Sequence, residues 1–317
     1  MPTTRNQNLA THLLLIATTL IWGATFTLIK SALADVSPLL FNLLRMALAF
    51  AILAAVNWRT FQNLTKRDLY FGSLAGLFLG LGYQFQTAGL AHTTASKSAF
   101  ITGLIVVIVP LLSTLPVARH HTAAKPTAAT FAGAILAFVG LIFLTTPPNS
   151  GAALLSGLHL GEYLTLACAV AFAAHLLTLS QAAPYLDARR LGTLQIGFCT
   201  LTLLITLPLG GHPTLIVTPR LLIALGITAI LGTAAAFTIQ SWAQQHLPAS
   251  HTALIFTLEP VFAWLTSLIF LHEHLGPRAL SGAALILAGI LTAELLPTLR
   301  QNASILKAAS DSPEATL

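Results

Sequence analysis

Residues 93–118, TTASKSAFITGLIVVIVPLLSTLPVA, and residues 248–273, PASHTALIFTLEPVFAWLTSLIFLHE, are two versions of one pattern. Each version opens with an Ala-Ser pair, which is followed by a basic or imidazole side chain and a hydroxyl. A long apolar run comes next, and it contains Pro110 in the first version and Pro260 in the second. This part of the chain is therefore predicted to be duplicated.

The similarity extends on both sides of these stretches. Residues 83–86 match residues 237–240 at an offset of 154, and the offset falls to 150 at the two prolines. The difference of four residues is about one helical turn, which can be inserted without turning the flanking helix faces far. A glycine pair at a spacing of seven follows in each copy, namely Gly133 with Gly140 and Gly282 with Gly289. A period near 150 is too long for a solenoid repeat, so the pattern predicts two half-proteins.

The composition is that of a membrane protein. Of the 317 residues, 56% are hydrophobic and 8% are charged, and the mean hydropathy is +0.82. So few charges could not cover the apolar surface of a water-soluble fold. The net charge of +6 does not indicate nucleic acid, because no basic patch with interleaved aromatic residues is present. Cys168 and Cys199 lie in apolar runs, which indicates small packing residues and no disulfide framework.

Ten apolar runs are long enough to cross a hydrocarbon core about 30 Å thick as helices. They lie at 12–31, 38–57, 68–90, 94–117, 126–145, 161–180, 190–209, 219–243, 249–271 and 277–296. We therefore expect an all-α polytopic membrane protein. The predicted organisation is an N-terminal cytoplasmic segment at 1–11, a first repeat at 12–146, a linker at 147–160, a second repeat at 161–296 and a disordered cytoplasmic tail at 297–317.

The distribution of Lys and Arg predicts the orientation. With cytoplasmic termini, ten basic residues fall on the inner side of the membrane and four on the outer side. Because each copy has an odd number of spans, the second copy must cross the membrane upside down relative to the first. Such inverted repeats are typical of secondary transporters, whose substrate site lies near the midplane between the copies. The predicted location is a bacterial inner membrane.

Four stretches resemble the EamA family of the drug/metabolite transporter superfamily. They are LIWGATFTLIKSAL at 20–33, DVSPLLFNLLRMALA at 35–49, EPVFAWLTSLIFLHE at 259–273 and SGAALILAGIL at 281–291. The resemblance implies two five-helix repeats around a central cavity, lined mainly by helices 1, 3, 4, 6, 8 and 9, and transport of small metabolites by alternating access. The chain departs from the family at Arg119-His120-His121, which replace the first-half counterpart of Glu273.

Glu259 is the first candidate for a functional residue. It lies ten residues beyond Ala249, about 15 Å into the predicted helix and so near the bilayer centre. An ionisable residue at this depth is costly and indicates a functional site. Pro260 lacks an N–H and opens the preceding helical turn, so the carboxylate beside it could couple proton movement to substrate movement. A buried structural anchor is the alternative.

Arg45 lies about 10 Å below the outer surface, which is also too deep for an interfacial anchor. It could pair with Glu259 or with carbonyl groups at a helix end. Since the second helix is usually peripheral to the cavity in the resembled family, we expect a structural role for Arg45. The same role is expected for Pro110 and Pro260.

Further candidates are polar and aromatic side chains in the predicted helices. Ser96 and Lys97 open a helix and could meet an anionic group such as a substrate carboxylate. The imidazole of His175 could relay protons, although a lone histidine in an apolar helix is more often only hydrogen-bonded. The complete set predicted to bind substrate or a coupling ion is Glu259, Trp22, Gln84, Gln86, Ser96, Lys97, His175, Gln240, Trp242 and His251. Glycines at 72, 76, 80 and 82 predict close packing against another helix, in this chain or in a dimer.

The sequence favours a secondary transporter, either an exporter or an exchanger, of small polar metabolites such as amino acids. Efflux of lipophilic cations is the alternative, with aromatic walls such as Trp22, Trp242 and Trp264. A membrane enzyme or scaffold is disfavoured, because no cluster of catalytic groups is visible. We expect no cofactor and no metal site, since adjacent histidines do not match the i, i+4 spacing of helical metal ligands. The expected partners are a small-molecule substrate, protons and membrane lipid, in a monomer or homodimer.

Overall fold

The computed structural model describes residues 5–113, 127–146, 158–182, 185–243 and 255–310, and these residues are mainly helical. The α-helices, numbered in chain order, are α1 (Arg5–Ala32), α2 (Pro38–Val56), α3 (Lys66–His92), α4 (Ala95–Thr102), α5 (Ile105–Leu112), α6 (Ala128–Thr145), α7 (Leu160–Ala182), α8 (Ala188–Thr206), α9 (Pro219–Gly226), α10 (Ala236–Ala243), α11 (Glu259–Phe270) and α12 (Pro277–Ser310). Short 3₁₀ turns lie at Trp58–Phe61 and Leu207–Gly210. A π-helical segment, Ile227–Ala235, joins α9 to α10.

Seven stretches of the described helices are long and apolar enough to cross a membrane. They are His12–Ala32, Pro38–Val56, Ala95–Leu112, Ala128–Thr145, Leu160–Ala182, Arg189–Gly210 and Pro219–Gln240. Two further apolar helices, Glu259–Phe270 and Pro277–Ala293, are shorter. α3 has the length of a span, but it begins with Lys66, Arg67 and Asp68 and is rich in glycine, which lowers its hydropathy. The described chain is thus an all-α protein with several membrane-spanning helices.

Three of the predicted spans are interrupted. Gly103 and Leu104 separate α4 from α5 within the run at 94–117, and the π-helical segment divides α9 from α10. A turn at 257–258 precedes α11, so Pro260 lies in the first turn of a helix. This corrects the expectation that Pro260 interrupts a continuous helix, because at a helix start its missing N–H removes no hydrogen bond. Pro110 does lie inside a helix, α5.

The last helices of the two copies, α6 and α12, pack against each other through the duplicated glycine pairs. A Cβ atom added at Gly140 would lie 2.6 Å from the carbonyl oxygen of Gly282, and one added at Gly282 would lie 2.6 Å from that of Gly140. Gly133 and Gly289 face each other in the same way. The first glycine of each pair therefore meets the second glycine of the other, in an antiparallel and reciprocal contact. Helices approach this closely only where side chains are absent.

The glycines of α3 pack against the second copy. A Cβ atom added at Gly76 would lie 2.7 Å from the backbone nitrogen of Cys199 in α8. One added at Gly89 would lie 2.8 Å from the carbonyl oxygen of Gly161 in α7. The small-residue face that the sequence predicts for α3 therefore contacts helices of the same chain.

Two ion pairs join the copies within the described ranges. Arg220, in the first turn of α9, lies 2.6 Å from Asp35 in the connector between α1 and α2. Arg190, in the first turn of α8, lies 3.2 Å from Asp68 in the first turn of α3. In both pairs the acid belongs to the first copy and the base to the second. A single antiparallel β-bridge, Val36 with Leu215, reinforces the first contact.

The C-terminal helix is longer than the predicted span. α12 continues to Ser310, beyond the predicted end at 296. Residues 297–310 are helical where the polar composition predicts disorder, because the segment is rich in good helix formers such as Ala, Leu, Arg, Gln and Lys.

Candidate functional site

A cavity of about 240 Å³ lies between helices of both copies. It has contributions from α1, α3, α4, α5, α7, α10 and α11, with single residues from α2 and α12. The lining residues are Trp22, Thr25, Phe26, Arg45, Leu79, Tyr83, Gln86, Ala99, Thr102, Gly103, Ile105, Val106, Val109, Phe172, His175, Leu176, Phe237, Gln240, Phe256, Thr257, Glu259, Pro260 and Ile290. Most of this wall is apolar, so the few polar groups on it determine what the cavity can bind.

Glu259 begins α11 at the cavity wall. A Cβ atom added at Gly23 of α1 would lie 2.8 Å from the Glu259 carbonyl oxygen, so the missing side chain of Gly23 lets α1 and α11 come together at this point. Gly23 is near the middle of the apolar stretch His12–Ala32, so Glu259 lies level with the middle of that stretch. The Glu259 carboxylate is partly exposed to the cavity and has no hydrogen-bond or ion-pair partner among the described residues.

Trp22 connects α1 to the π-helical segment. Its indole nitrogen donates a hydrogen bond of 2.9 Å to the carbonyl oxygen of Gly232. Its ring lies 5.9 Å from the ring of Phe237 and 5.1 Å from that of Phe256, measured between centroids. These three rings, one from the first copy and two from the second, form an aromatic wall of the cavity.

Arg45 reaches the cavity from α2, although the sequence predicts a purely structural role outside it. Its Nε donates to the Thr233 hydroxyl at 2.9 Å, and its Nη2 donates to the Gly232 carbonyl at 3.3 Å and to the Tyr83 hydroxyl at 3.4 Å. The guanidinium carbon also lies 4.6 Å from the centre of the Tyr83 ring. No nitrogen of Arg45 is within 4.0 Å of a Glu259 oxygen in the described chain, so of the two partners that the sequence suggests, Glu259 and a carbonyl group, Arg45 contacts a carbonyl, that of Gly232.

His175 lies on the cavity wall, and a side chain of α8 contacts its imidazole ring. Its Nε2 is 2.7 Å from the Oε1 atom of Gln195 in α8, and the imidazole is 4% exposed. The contact orients the ring, which agrees with the simpler of the two interpretations of a lone helical histidine.

Repeat-related residues face the cavity in both copies. Tyr83 and Phe237, and likewise Gln86 and Gln240, are related by the offset of 154, and all four line the cavity. Val109 and Glu259 are related by the offset of 150, and both line it as well. The cavity is therefore built from equivalent helix faces, with different side chains at equivalent places.

Several predicted site residues lie away from the cavity. Gln84 is turned toward α8, where its Nε2 donates to the Thr206 hydroxyl at 2.8 Å. Lys97 and Pro110 are half-buried and do not line the cavity wall. His251 and the side chain of Trp242 lie outside the described part of the structure.

Ser96 meets a carboxylate of the chain itself. Its backbone N–H donates to the Oε2 atom of Glu273 at 3.4 Å, and its hydroxyl lies 2.7 Å from that of Ser267. The N-terminus of α4, where the sequence predicts a substrate carboxylate, is thus occupied by Glu273, which the partial positive charge of the helix end stabilises. The replaced counterpart of Glu273, at 119–121, lies outside the described residues.

The sequence reasoning missed the aromatic residues of the cavity, among them Tyr83, Phe172 and Phe237. Tyr83 lies three residues before Gln86, and Phe237 three residues before Gln240, so each aromatic residue shares a helix face with a predicted amide. That repeated spacing is the signal that could have identified them.

The profile of the EamA-like transporter family matches the chain twice, over residues 9–146 and 159–294. The chain belongs to the EamA-like transporter family. An uncharacterised transporter of Archaeoglobus fulgidus is 33% identical to this EamA-like chain over 278 residues, which cover 87% of this chain and 83% of that protein. The uncharacterised transporter YoaV of Bacillus subtilis is 23% identical over 283 residues, covering 87% and 94%.

A solved crystal structure superposes on the EamA-like chain with a TM-score of 0.61 at 18% identity, covering 90% of this chain and 97% of the other. At that identity the match shows a shared fold. The resemblance read from the sequence is confirmed by the family match. The protein is a multi-pass membrane transporter, and a small molecule is its substrate.

Proposed function

We propose that this EamA-like protein is a secondary transporter of small polar metabolites that carry an amino group, amino acids among them. It works as an exporter or exchanger in a bacterial inner membrane, with both termini in the cytoplasm. Ten helices form two inverted five-helix repeats, and the central cavity opens alternately to the two sides. The observation that carries the proposal is the unpartnered carboxylate of Glu259 on the cavity wall.

The contacts between the copies support an inverted arrangement. A two-fold axis in the membrane plane would exchange Gly133 with Gly282 and Gly140 with Gly289, and each observed glycine contact would then be carried onto the other. The same axis would exchange the start of α2 with the start of α8, and the start of α9 with the start of α3. One ion pair joins the connector before α2 to the start of α9, and the other joins the start of α8 to the start of α3. The axis would therefore carry the place of one ion pair onto the place of the other.

The environment of Glu259 supports coupling of a proton to the substrate. An isolated carboxylate inside a membrane protein is costly unless a proton or a cation neutralises it. Since no residue of the described chain does so, the charge can be neutralised by a bound proton in one state and by a substrate ammonium group in the other. Exchange of these two partners at one carboxylate would couple opposite movements of protons and substrate.

The test is transport by the purified full chain in proteoliposomes with an imposed pH difference. Glu259→Gln is expected to abolish pH-driven flux, because the amide can neither ionise nor bind a proton, while Glu259→Asp should retain part of it. Glu162→Gln makes the same substitution at a carboxylate of α7 that does not line the cavity, and it is the matched control. Unchanged pH-driven transport by Glu259→Gln would remove the proposal.

A labelling experiment tests the proposed topology separately. Single cysteines placed at residue 5 and residue 309, in a background lacking Cys168 and Cys199, should react with a membrane-impermeant maleimide only in inside-out vesicles. Labels on opposite faces would contradict the inverted arrangement. Labelling of both positions in right-side-out vesicles would reverse the orientation.

Efflux of lipophilic cations is the second candidate function. Six aromatic residues on the cavity wall, Trp22, Phe26, Tyr83, Phe172, Phe237 and Phe256, favour it, because aromatic rings near a carboxylate attract organic cations. Competition separates the two functions. Tetraphenylphosphonium should displace the substrate if the cavity is built for lipophilic cations, whereas leucine should displace it if the cavity is built for amino acids.

A further inference from the structure

We propose that Arg45 forms an anion subsite in this cavity, which binds a carboxylate group of the transported molecule. The inference deepens the proposed function and rests on it for the identity of the cavity as the substrate site. It implies that the substrate is a zwitterion, with its ammonium group at Glu259 and its carboxylate at Arg45. The subsite depends on the π-helical segment Ile227–Ala235, which holds the guanidinium in place.

The first argument is that the charge of Arg45 lacks a counterion. Arg45 is 1% exposed, so it is removed from bulk water. The ion pairs of the described residues are Asp35 with Arg220 and Asp68 with Arg190, and neither includes Arg45. A buried charge without an opposite charge is strongly unfavourable, and within a membrane such a residue marks a site for substrate or ion. A carboxylate entering the cavity would supply the missing charge.

The second argument is the arrangement of hydrogen-bond donors. Nε and Nη2 donate to Thr233, Gly232 and Tyr83, while Nη1 donates to no acceptor of the described chain. The Tyr83 ring supports one face of the guanidinium at 4.6 Å. The group is thus fixed in position with two N–H donors unused, and Arg45 lines the cavity. Fixed guanidinium N–H groups are well suited to binding a carboxylate.

The third argument concerns the origin of the π-helical segment. Thr65 caps α3 and Thr218 caps α9, each accepting from the backbone N–H three residues later. Eighteen residues separate Thr65 from Tyr83, but nineteen separate Thr218 from Phe237. The second copy thus has one extra residue between the cap and the cavity. A π-helical segment absorbs one residue, so Phe237 and Gln240 still face the cavity.

The extra residue has a chemical consequence at the cavity. The Ala236 N–H donates to Leu231, five residues earlier, and so does not take the usual α-helical bond to the Gly232 carbonyl. That carbonyl accepts from Arg45 and from Trp22. The Thr233 hydroxyl, itself anchored to the Thr228 carbonyl, accepts from Nε of Arg45. The insertion therefore creates the acceptors that orient Arg45.

The experiment measures thermal unfolding of the purified full chain with three probes. Leucine carries both charges, 3-methylbutylamine lacks the carboxylate, and 4-methylpentanoate lacks the ammonium group. All three should stabilise the wild-type protein, leucine most strongly. Arg45→Met should lose the response to 4-methylpentanoate and weaken leucine binding about tenfold or more, while keeping the response to 3-methylbutylamine. Glu259→Gln should show the opposite pattern.

The outcomes separate the two proposals. An undiminished response of Arg45→Met to 4-methylpentanoate would overturn the anion subsite and leave the role of Glu259 intact. An undiminished response of Glu259→Gln to 3-methylbutylamine would contradict the proposed function and leave the anion subsite intact. A wild-type protein that none of the three probes stabilises would contradict both.

Two further measurements complete the test. If Arg45→Met does not fold, Thr233→Val removes the acceptor of Nε with little change in shape, and it should weaken the response to 4-methylpentanoate several-fold without changing that to 3-methylbutylamine. A response of Thr233→Val to 4-methylpentanoate that equals that of the wild-type protein would contradict the subsite. Sodium chloride distinguishes a free anion from the substrate. Chloride that stabilises the wild-type protein through Arg45 without competing with leucine would overturn the assignment to substrate.

Discussion

In the first copy the cavity wall carries Tyr83, Gln86 and Val109, and at repeat-related places the second copy carries Phe237, Gln240 and Glu259. The amides of Gln86 and Gln240 are the same, but the phenolic hydroxyl of Tyr83 is replaced by the plain ring of Phe237, and Val109 is replaced by the carboxylate of Glu259. Where α6 packs against α12, by contrast, both copies keep glycine at both contact positions. The duplicated chain has therefore diverged at its cavity, while the contact between the last helices of the two copies stayed alike.

The reason for this difference is physical. A helix contact through glycine depends on the absence of a side chain, so nearly every substitution there would force the helices apart. A cavity wall does not have that restriction, since a new side chain can extend into open space. Two equivalent walls with identical charges would also place like charges close together, which is costly in a membrane interior. One acid from the second copy and one base from the first avoid this cost.

The largest effect is expected from deleting one residue in each of two related helices. Leu77 in α3 and Ile230 in the π-helical segment hold equivalent places counted from their caps, and both side chains are exposed on the outer surface. Deletion of Leu77 should abolish folding, because it rotates one end of a regular helix by about 100° and separates its glycines from α8. Deletion of Ile230 should leave a folded protein, since it removes the extra residue.

Size-exclusion profiles and thermal unfolding in detergent check this pair. The folded Ile230 deletion should also lose its response to 4-methylpentanoate, because Gly232 would regain an α-helical hydrogen bond. If deletion of Ile230 impairs folding as severely as deletion of Leu77, the extra residue of the π-helical segment is essential to the fold.

The next largest effect concerns the glycine contact. Gly140→Ala and Gly282→Ala should each destabilise the protein by about 1–3 kcal/mol, because each new methyl group would meet a backbone oxygen of the opposite helix. The two losses should be similar, since the two contacts are reciprocal. Gly192→Ala is the control, because no atom lies within 4 Å of the added methyl group, and alanine should stabilise that helix by up to about 1 kcal/mol.

Chemical or thermal unfolding monitored by intrinsic tryptophan fluorescence would measure these differences. A loss at Gly140 without one at Gly282 would show that the contact is not equivalent in the two copies.

The comparison also shows how much a sequence of this kind predicts. The duplication and the helices follow from the spacing of apolar residues. Gln86, Gln240 and Glu259 are candidates because polar side chains are costly in apolar helices, but the same reasoning selects Gln84, which is turned toward α8. Family resemblance adds the expectation of a central cavity between the copies. These features depend on local patterns that survive duplication.

The partners of Arg45 could not be predicted from such patterns. A charged residue in an apolar helix requires compensation, but the sequence does not show whether a carboxylate, a carbonyl or a substrate supplies it. The acceptor at Gly232 exists because of the π-helical segment, whose sequence ITAILGTAA has no proline and no unusual composition. In the sequence it is visible only as a difference in spacing: the distance from Thr218 to Phe237 is one residue longer than that from Thr65 to Tyr83.

A smaller effect is expected from exchanging the aromatic pair of the cavity. Tyr83→Phe removes one acceptor of Arg45, whose hydrogen bond is long at 3.4 Å, so binding of leucine should weaken only about threefold. Phe237→Tyr adds a hydroxyl on the other wall and should not restore binding in the Tyr83→Phe background. Isothermal titration with leucine measures both. Restoration by Phe237→Tyr would mean that the two walls are interchangeable toward the guanidinium.

The smallest effect belongs to the ion pair between the connector of the first copy and α9 of the second. Hydrogen bonds from Arg220 and Thr218 hold the pKa of the Asp35 carboxyl at about 2, below its ordinary value of 3.8. Because the pKa is lower in the folded state, the contribution of Asp35 to stability is complete above about pH 4 and disappears as the pH falls through about 2.

The difference in melting temperature between the wild-type protein and Asp35→Asn should therefore be constant from pH 7 to pH 4 and vanish near pH 2. Arg220→Gln removes the ion-pair partner and leaves the hydrogen bond from Thr218, so in that background Asp35→Asn should have a smaller effect over the same pH range. A difference that persists unchanged at pH 2 would show that Asp35 stabilises the junction of the copies through its shape and not through its charge.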